Sequence, residues 1–181
     1  EVLGTTPTQT VTGSSGRPNF VVRSVSNETL TSGSNGGVTN GFYLGDVNSL
    51  ETHTHTASSQ ISGGQIRFNG ISGTETLTIT IDGVVQNLNT AIANGTVSFN
   101  GASLYQINAS GQIVRIGSGA TSGTNGTLTI NVPYTSISLA STGTTTSPGM
   151  WYEYWVNTQP NNVAAGAGGN DLLAGGDGDD S

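Results

Sequence analysis

The stretch Thr76-Leu77-Thr78-Ile79-Thr80-Ile81 alternates threonine with a large aliphatic side chain, and Asp82-Gly83 follows at once. Successive side chains on a strand point to opposite faces, so this run has one apolar face and one hydroxyl face. Asp-Gly supplies the two positive-φ positions of a type I′ turn, and Val84-Val85 opens the return strand. A chain carrying this hairpin is committed to a sheet with one side to bury. Thr127-Leu128-Thr129-Ile130-Asn131-Val132 repeats the pattern until Pro133, which has no N–H to give a ladder. Gln65-Ile66-Arg67-Phe68, Val97-Ser98-Phe99, Ile113-Val114-Arg115-Ile116, Ser136-Ile137-Ser138-Leu139 and Phe42-Tyr43-Leu44 are further candidate strands. Glycine-rich turns separate them at 33–37, 70–73, 94–95, 100–101 and 117–126. The one helical expectation is a turn or two around Leu88–Ala93. Many short strands with frequent turns predict an all-β fold, a β-sandwich with a jelly roll as one variant.

Composition agrees. Charged residues are 8% of the chain, lysine is absent, and the basic residues are Arg17, Arg23, Arg67 and Arg115. Helix formers are therefore scarce, while Thr, Val and Ile lose freedom in a helix and fit a pleated surface. With four cations against a net charge of −7, a phosphate backbone finds little to bind, so nucleic acid is not an expected partner. The absence of cysteine excludes a disulfide framework. No apolar run is long enough for a membrane-spanning helix, and no membrane insertion is expected. Glu1 is no initiator and no charged-then-apolar leader follows it, so the expectation is a piece of a longer chain. The division expected is a ligand-binding β-sandwich over 1–156, a loop near its entry at 13–18, a linker over 157–165 (NTQPNNVAA), and a distinct tail over 166–181.

That tail reads GAGGNDLLA above GGDGDDS: Gly166 meets Gly175, Gly169 meets Gly178 and Asp171 meets Asp180, nine residues apart. It resembles the start of the repeats-in-toxin (RTX) nonapeptide array, G-G-x-G-x-D-x-U-x, with Leu173 in the aliphatic position, Ala167 departing from the pattern and the second copy stopping after seven residues. The chemistry of such a pattern is calcium coordination: a hard cation takes roughly six to eight carboxylate and carbonyl oxygens, and glycines let the backbone turn tightly enough to present them. The candidate ligands are Gly169, Asn170, Asp171, Asp177, Asp179 and Asp180. Two repeats do not complete a site in that family's roll, where alternate turns pair; the frame before them, with Asn161-Asn162, is a candidate degenerate turn. The resemblance implies a parent exported by bacterial type I secretion and folded outside the cell in calcium. A cysteine-free, lysine-free β domain directly before such an array looks like the ligand-binding region of an RTX adhesin. The function implied is calcium-dependent attachment to a glycan or to a protein or peptide terminus on a host or neighbouring cell, by a monomeric module of a longer extracellular chain. A non-catalytic accessory domain of a secreted RTX enzyme and a structural spacer are the alternatives.

No catalytic constellation is visible: there is no G-x-S-x-G, no H-E-x-x-H and no cysteine nucleophile, and Glu28, Asp46, Glu51, Glu75, Asp82 and Glu153 show no spacing that specifies a carboxylate pair. The expectation is a binder rather than an enzyme. Three local features carry chemistry nonetheless. Asp46, Asn48 and Glu51 cluster oxygen ligands after the strand at 42–44, as a calcium loop or as ordinary turn residues. Glu51, His53 and His55 share one face of a strand; a solvated face or loop is expected, with a metal such as zinc as the sharper alternative. In Met150-Trp151-Tyr152-Glu153-Tyr154-Trp155, Trp151, Glu153 and Trp155 fall on one face and Tyr152, Tyr154 and Val156 on the other. Since both faces are apolar, a last strand buried on both sides is expected; aromatics stacking on a sugar or peptide side chain are the alternative.

Overall fold

A computed structural model of the chain describes residues 8–11, 20–24, 30–45, 51–117, 124–142 and 149–156. The strands are β1 (Thr8–Val11), β2 (Phe20–Ser24), β3 (Thr31–Asn35), β4 (Val38–Leu44), β5 (Glu51–Ile61), β6 (Gly64–Asn69), β7 (Thr76–Ile81) and β8 (Val84–Val85). After the helix α1 (Leu88–Ala93) come β9 (Val97–Asn100), β10 (Tyr105–Ile107), β11 (Ile113–Arg115), β12 (Gly126–Ile130), β13 (Tyr134–Thr142) and β14 (Met150–Val156). They form two sheets. The eight-stranded sheet runs β1-β2-β5-β13-β7-β11-β10, with β8 also on β7, and the six-stranded sheet runs β3-β4-β14-β6-β12-β9. Every pairing among the described strands is antiparallel. The all-β sandwich expected from the alternation is what the chain forms.

The aliphatic faces of the alternating runs meet between the sheets. Leu77 and Ile79 of β7, Ile137 and Leu139 of β13, Leu128 and Ile130 of β12, and Ile66 and Phe68 of β6 belong to one continuous buried core. Each such side chain contributes about 1.5–3 kcal/mol by leaving water. The chain changes sheet repeatedly, at β5–β6 and β12–β13 among other places, so many strands adjacent in sequence lie in opposite layers. Tyr134, at the start of β13, is fully buried, and its hydroxyl meets that of Tyr154.

Local chemistry explains the ends of the elements. Asp82 and Gly83 have φ of 46° and 79°, the type I′ geometry that joins β7 to β8. Asp82 Oδ1 also accepts the N–H groups of Thr135 at 2.8 Å and Ser136 at 2.7 Å, tying the hairpin tip to β13. Helix α1 starts where the Asn87 side chain accepts the Thr90 N–H at 3.2 Å. One glycine-rich stretch departs from expectation: residues 31–35 are strand, with the turn confined to Gly36 and Gly37, both at positive φ. A Cβ at Gly33 would stand 2.9 Å from the Trp151 ring, so glycine here keeps the strand flat beneath an indole.

Candidate functional site

On β5 the inward positions are Glu51, His53, His55 and Ala57, all buried. Alternation places the carboxylate and both imidazoles on one face, as the sequence indicates, but that face is the interior and not a solvated surface. Tyr152 reaches across from β14 in the opposite sheet. Its hydroxyl lies 2.9 Å from His53 Nδ1 and 2.7 Å from His55 Nε2, while His53 Nε2 is 2.8 Å from Glu51 Oε1. Glu51 Oε2 accepts the Gly45 N–H, and the Ser24 hydroxyl donates to Oε1 at 3.4 Å.

An ionised Glu51 only accepts, so His53 carries its proton on Nε2. In the neutral imidazole Nδ1 then accepts, the Tyr152 hydroxyl donates to it, and His55 Nε2–H donates to the hydroxyl. One direction of donation thus runs from His55 through Tyr152 and His53 to Glu51. Phe42 packs edge-on to both imidazoles, at 6.3 and 5.6 Å between ring centroids, and Tyr154 lies 5.1 Å from His55. Burial first, and His53 second, lower the His55 pKa from 6.5 to about 3, so His55 is neutral across the physiological range. Burial, then the charge of Glu51, push the Tyr152 phenol well above its ordinary value. The phenol occupies the position between the imidazoles that a zinc ion would need, and no group of three or more metal-ligating side chains occurs among the described residues. His53 and Tyr152 are fully buried and Glu51 and His55 are 2% and 3% exposed, so this chain of hydrogen bonds joins the sheets to each other.

Glu51, the described member of the proposed calcium loop, is therefore directed inward at Gly45, His53 and Ser24. Asp46 and Asn48 lie outside the described residues, as do Gly169, Asn170, Asp171, Asp177, Asp179, Asp180 and the linker at 157–165.

The second chemical feature is the outer face of the six-stranded sheet. The last strand, β14, is not buried on both faces as expected; it sits centrally between β4 and β6, with Met150, Tyr152, Tyr154 and Val156 turned to the core. Its other face carries Trp151, Glu153 and Trp155, and Trp155 is 41% exposed. Trp151 leans on Tyr43 of β4, ring centroids 5.3 Å apart. The Arg67 guanidinium of β6 lies over Trp155, 5.0 Å from the ring centroid, a cation–π contact. Arg67 Nη1 is 3.1 Å from Glu153 Oε1 and donates to the Gly37 carbonyl at 3.0 Å. Glu153 Oε2 accepts the Thr39 N–H at 2.8 Å and its hydroxyl at 3.3 Å. Gln65, opposite Trp155, donates to Thr129 Oγ1 at 3.2 Å. Strand alternation separates Trp151 and Trp155 from the core-facing aromatics; Tyr43, Arg67 and Gln65 come from strands distant in the chain and carry no local signal of their role. Comparison with protein-family models, curated proteins and solved structures finds no match to this chain.

Proposed function

We propose that the chain is a calcium-dependent extracellular ligand-binding domain of the kind found in RTX adhesins, attaching its parent to a glycan or to a protein or peptide terminus on another cell. The observation that carries this reading is the contrast between the two faces of β14. The imidazoles of His53 and His55, the Glu51 carboxylate and the Tyr152 phenol are buried inside and engaged with one another, whereas the outer face offers tryptophan, guanidinium and amide groups to solvent. Exposed aromatics beside fixed polar groups are the ordinary material of recognition surfaces. The calcium requirement comes from the RTX-like residues Gly169, Asn170, Asp171, Asp177, Asp179 and Asp180. Arrays of glycans and of peptides with free C-termini, probed in CaCl₂ and again in chelator, test the proposal. Calcium-dependent retention of one class supports it, and retention of neither overturns it.

A further inference from the structure

We infer that the outer face of the six-stranded sheet is a binding platform for a neutral oligosaccharide, with Trp151 and Trp155 as stacking surfaces and Arg67, Gln65 and Thr129 as hydrogen-bonding partners; this deepens, and rests on, the ligand-binding reading above.

Shape is the first argument. Trp151 and Trp155 stand four residues apart on one strand, so their Cα atoms are about 13 Å apart along a nearly straight line. That spacing suits an extended chain of flat rings. A pyranose ring presents a face of C–H bonds that packs on an aromatic face, while its equatorial hydroxyls project sideways. The neighbouring strands supply groups at those sides. Gln65 and Thr129 offer amide and hydroxyl partners, and Arg67 holds donors beyond the Nη1 contacts to Glu153 and Gly37.

Charge decides among ligands. Among the described residues Arg67 is the cation of this strip, and its charge is already met by Glu153, 4% exposed and held by Thr39. The platform is thus close to neutral on a chain of net charge −7. A sulfated or uronic-acid glycan would meet repulsion from the whole and find no uncompensated cation in the strip. A peptide C-terminus, whose recognition needs an unspent positive group or a cradle of N–H groups, fits poorly for the same reason. A neutral sugar needs neither.

The two residues in question are the chain's only tryptophans, so tryptophan fluorescence reports on this face alone. The experiment titrates the full 181-residue chain, in CaCl₂, with neutral gluco-, manno-, xylo- and galacto-oligosaccharides and with a sulfated and a uronic-acid series, following tryptophan emission and acrylamide quenching. At least one neutral series should shift the emission and protect it from quencher. Trp155→Ala should weaken that binding roughly tenfold or more, and Gln65→Ala by a smaller factor. Trp155 is solvent-facing, so its removal leaves the melting temperature close to that of the parent chain. Sugar binding that leaves the fluorescence unchanged, or that survives Trp155→Ala at full affinity, overturns the platform while leaving the ligand-binding reading intact. So does calcium-dependent capture of peptides or acidic glycans alone. A chain that binds nothing on either array removes both.

Discussion

Acidification from pH 7 to pH 4.5 should cost the sandwich about 2.7 kcal/mol through His55 alone. The imidazole is free to protonate at its ordinary pKa of 6.5 in the unfolded chain, but burial and His53 hold it down to about 3 in the folded one. A group with a depressed folded pKa is neutral in both states at pH 7 and places no demand on stability there. Below pH 6.5 the unfolded state takes up a proton that the folded state refuses, so stability falls as pH drops and the loss saturates only below pH 3. At pH 4.5 the unfolded group is two pH units past its midpoint, which at 1.36 kcal/mol per unit gives about 2.7 kcal/mol. The groups around it are Glu51 and His53 on β5, Tyr152 and Tyr154 on β14 and the uncharged Phe42 on β4. Urea unfolding at the two pH values measures the change, and comparison with His55→Gln isolates it. Glutamine keeps an N–H for the Tyr152 hydroxyl and does not titrate. The variant should be less stable than the parent at pH 7, and the gap should close by about 2.7 kcal/mol at pH 4.5, roughly 1 M in urea midpoint for ordinary slopes. Equal acid sensitivity in the two proteins would refute the buried-neutral assignment of His55.

Two further perturbations probe how the sheets are held. Tyr152→Phe keeps the ring's packing but leaves His53 Nδ1 and His55 Nε2 without their shared partner in the interior, so a loss of about 2–4 kcal/mol is expected in chemical unfolding; a loss below about 0.5 kcal/mol would mean the hydroxyl joins nothing of consequence. Asp82→Ala removes the acceptor for Thr135 and Ser136 and puts a less tolerant residue at φ 46°, costing about 1–2 kcal/mol, whereas Asp82→Asn retains both roles and should cost less than half as much by thermal melt.

What could be read before folding was whatever depends on near neighbours. The hairpin at 76–85 needed only alternation and Asp-Gly, and α1 appeared where Asn87 can cap it. Alternation also sorted Glu51, His53 and His55 onto one side of β5 and Trp151 and Trp155 onto one side of β14. Which side meets water is decided by the opposite sheet, and no local pattern reports that. Three polar side chains in a row suggest a wet face; the interior accepts them because Tyr152, 97 and 99 residues away, satisfies both imidazoles. Residues 33–35 read as part of a turn because Gly33 belongs to a strand only once the indole of Trp151 covers it.

The position of β14 governs when the molecule can finish folding. The six-stranded sheet has β4 on one side of this strand and β6 on the other, so until Met150–Val156 is delivered those two expose facing rows of unpaired backbone groups. The same segment brings the phenol that closes the interior. A chain made from its N-terminus therefore cannot complete this sheet until Met150–Val156 has emerged, and closure is a long-range event of the slow kind typical of β sandwiches.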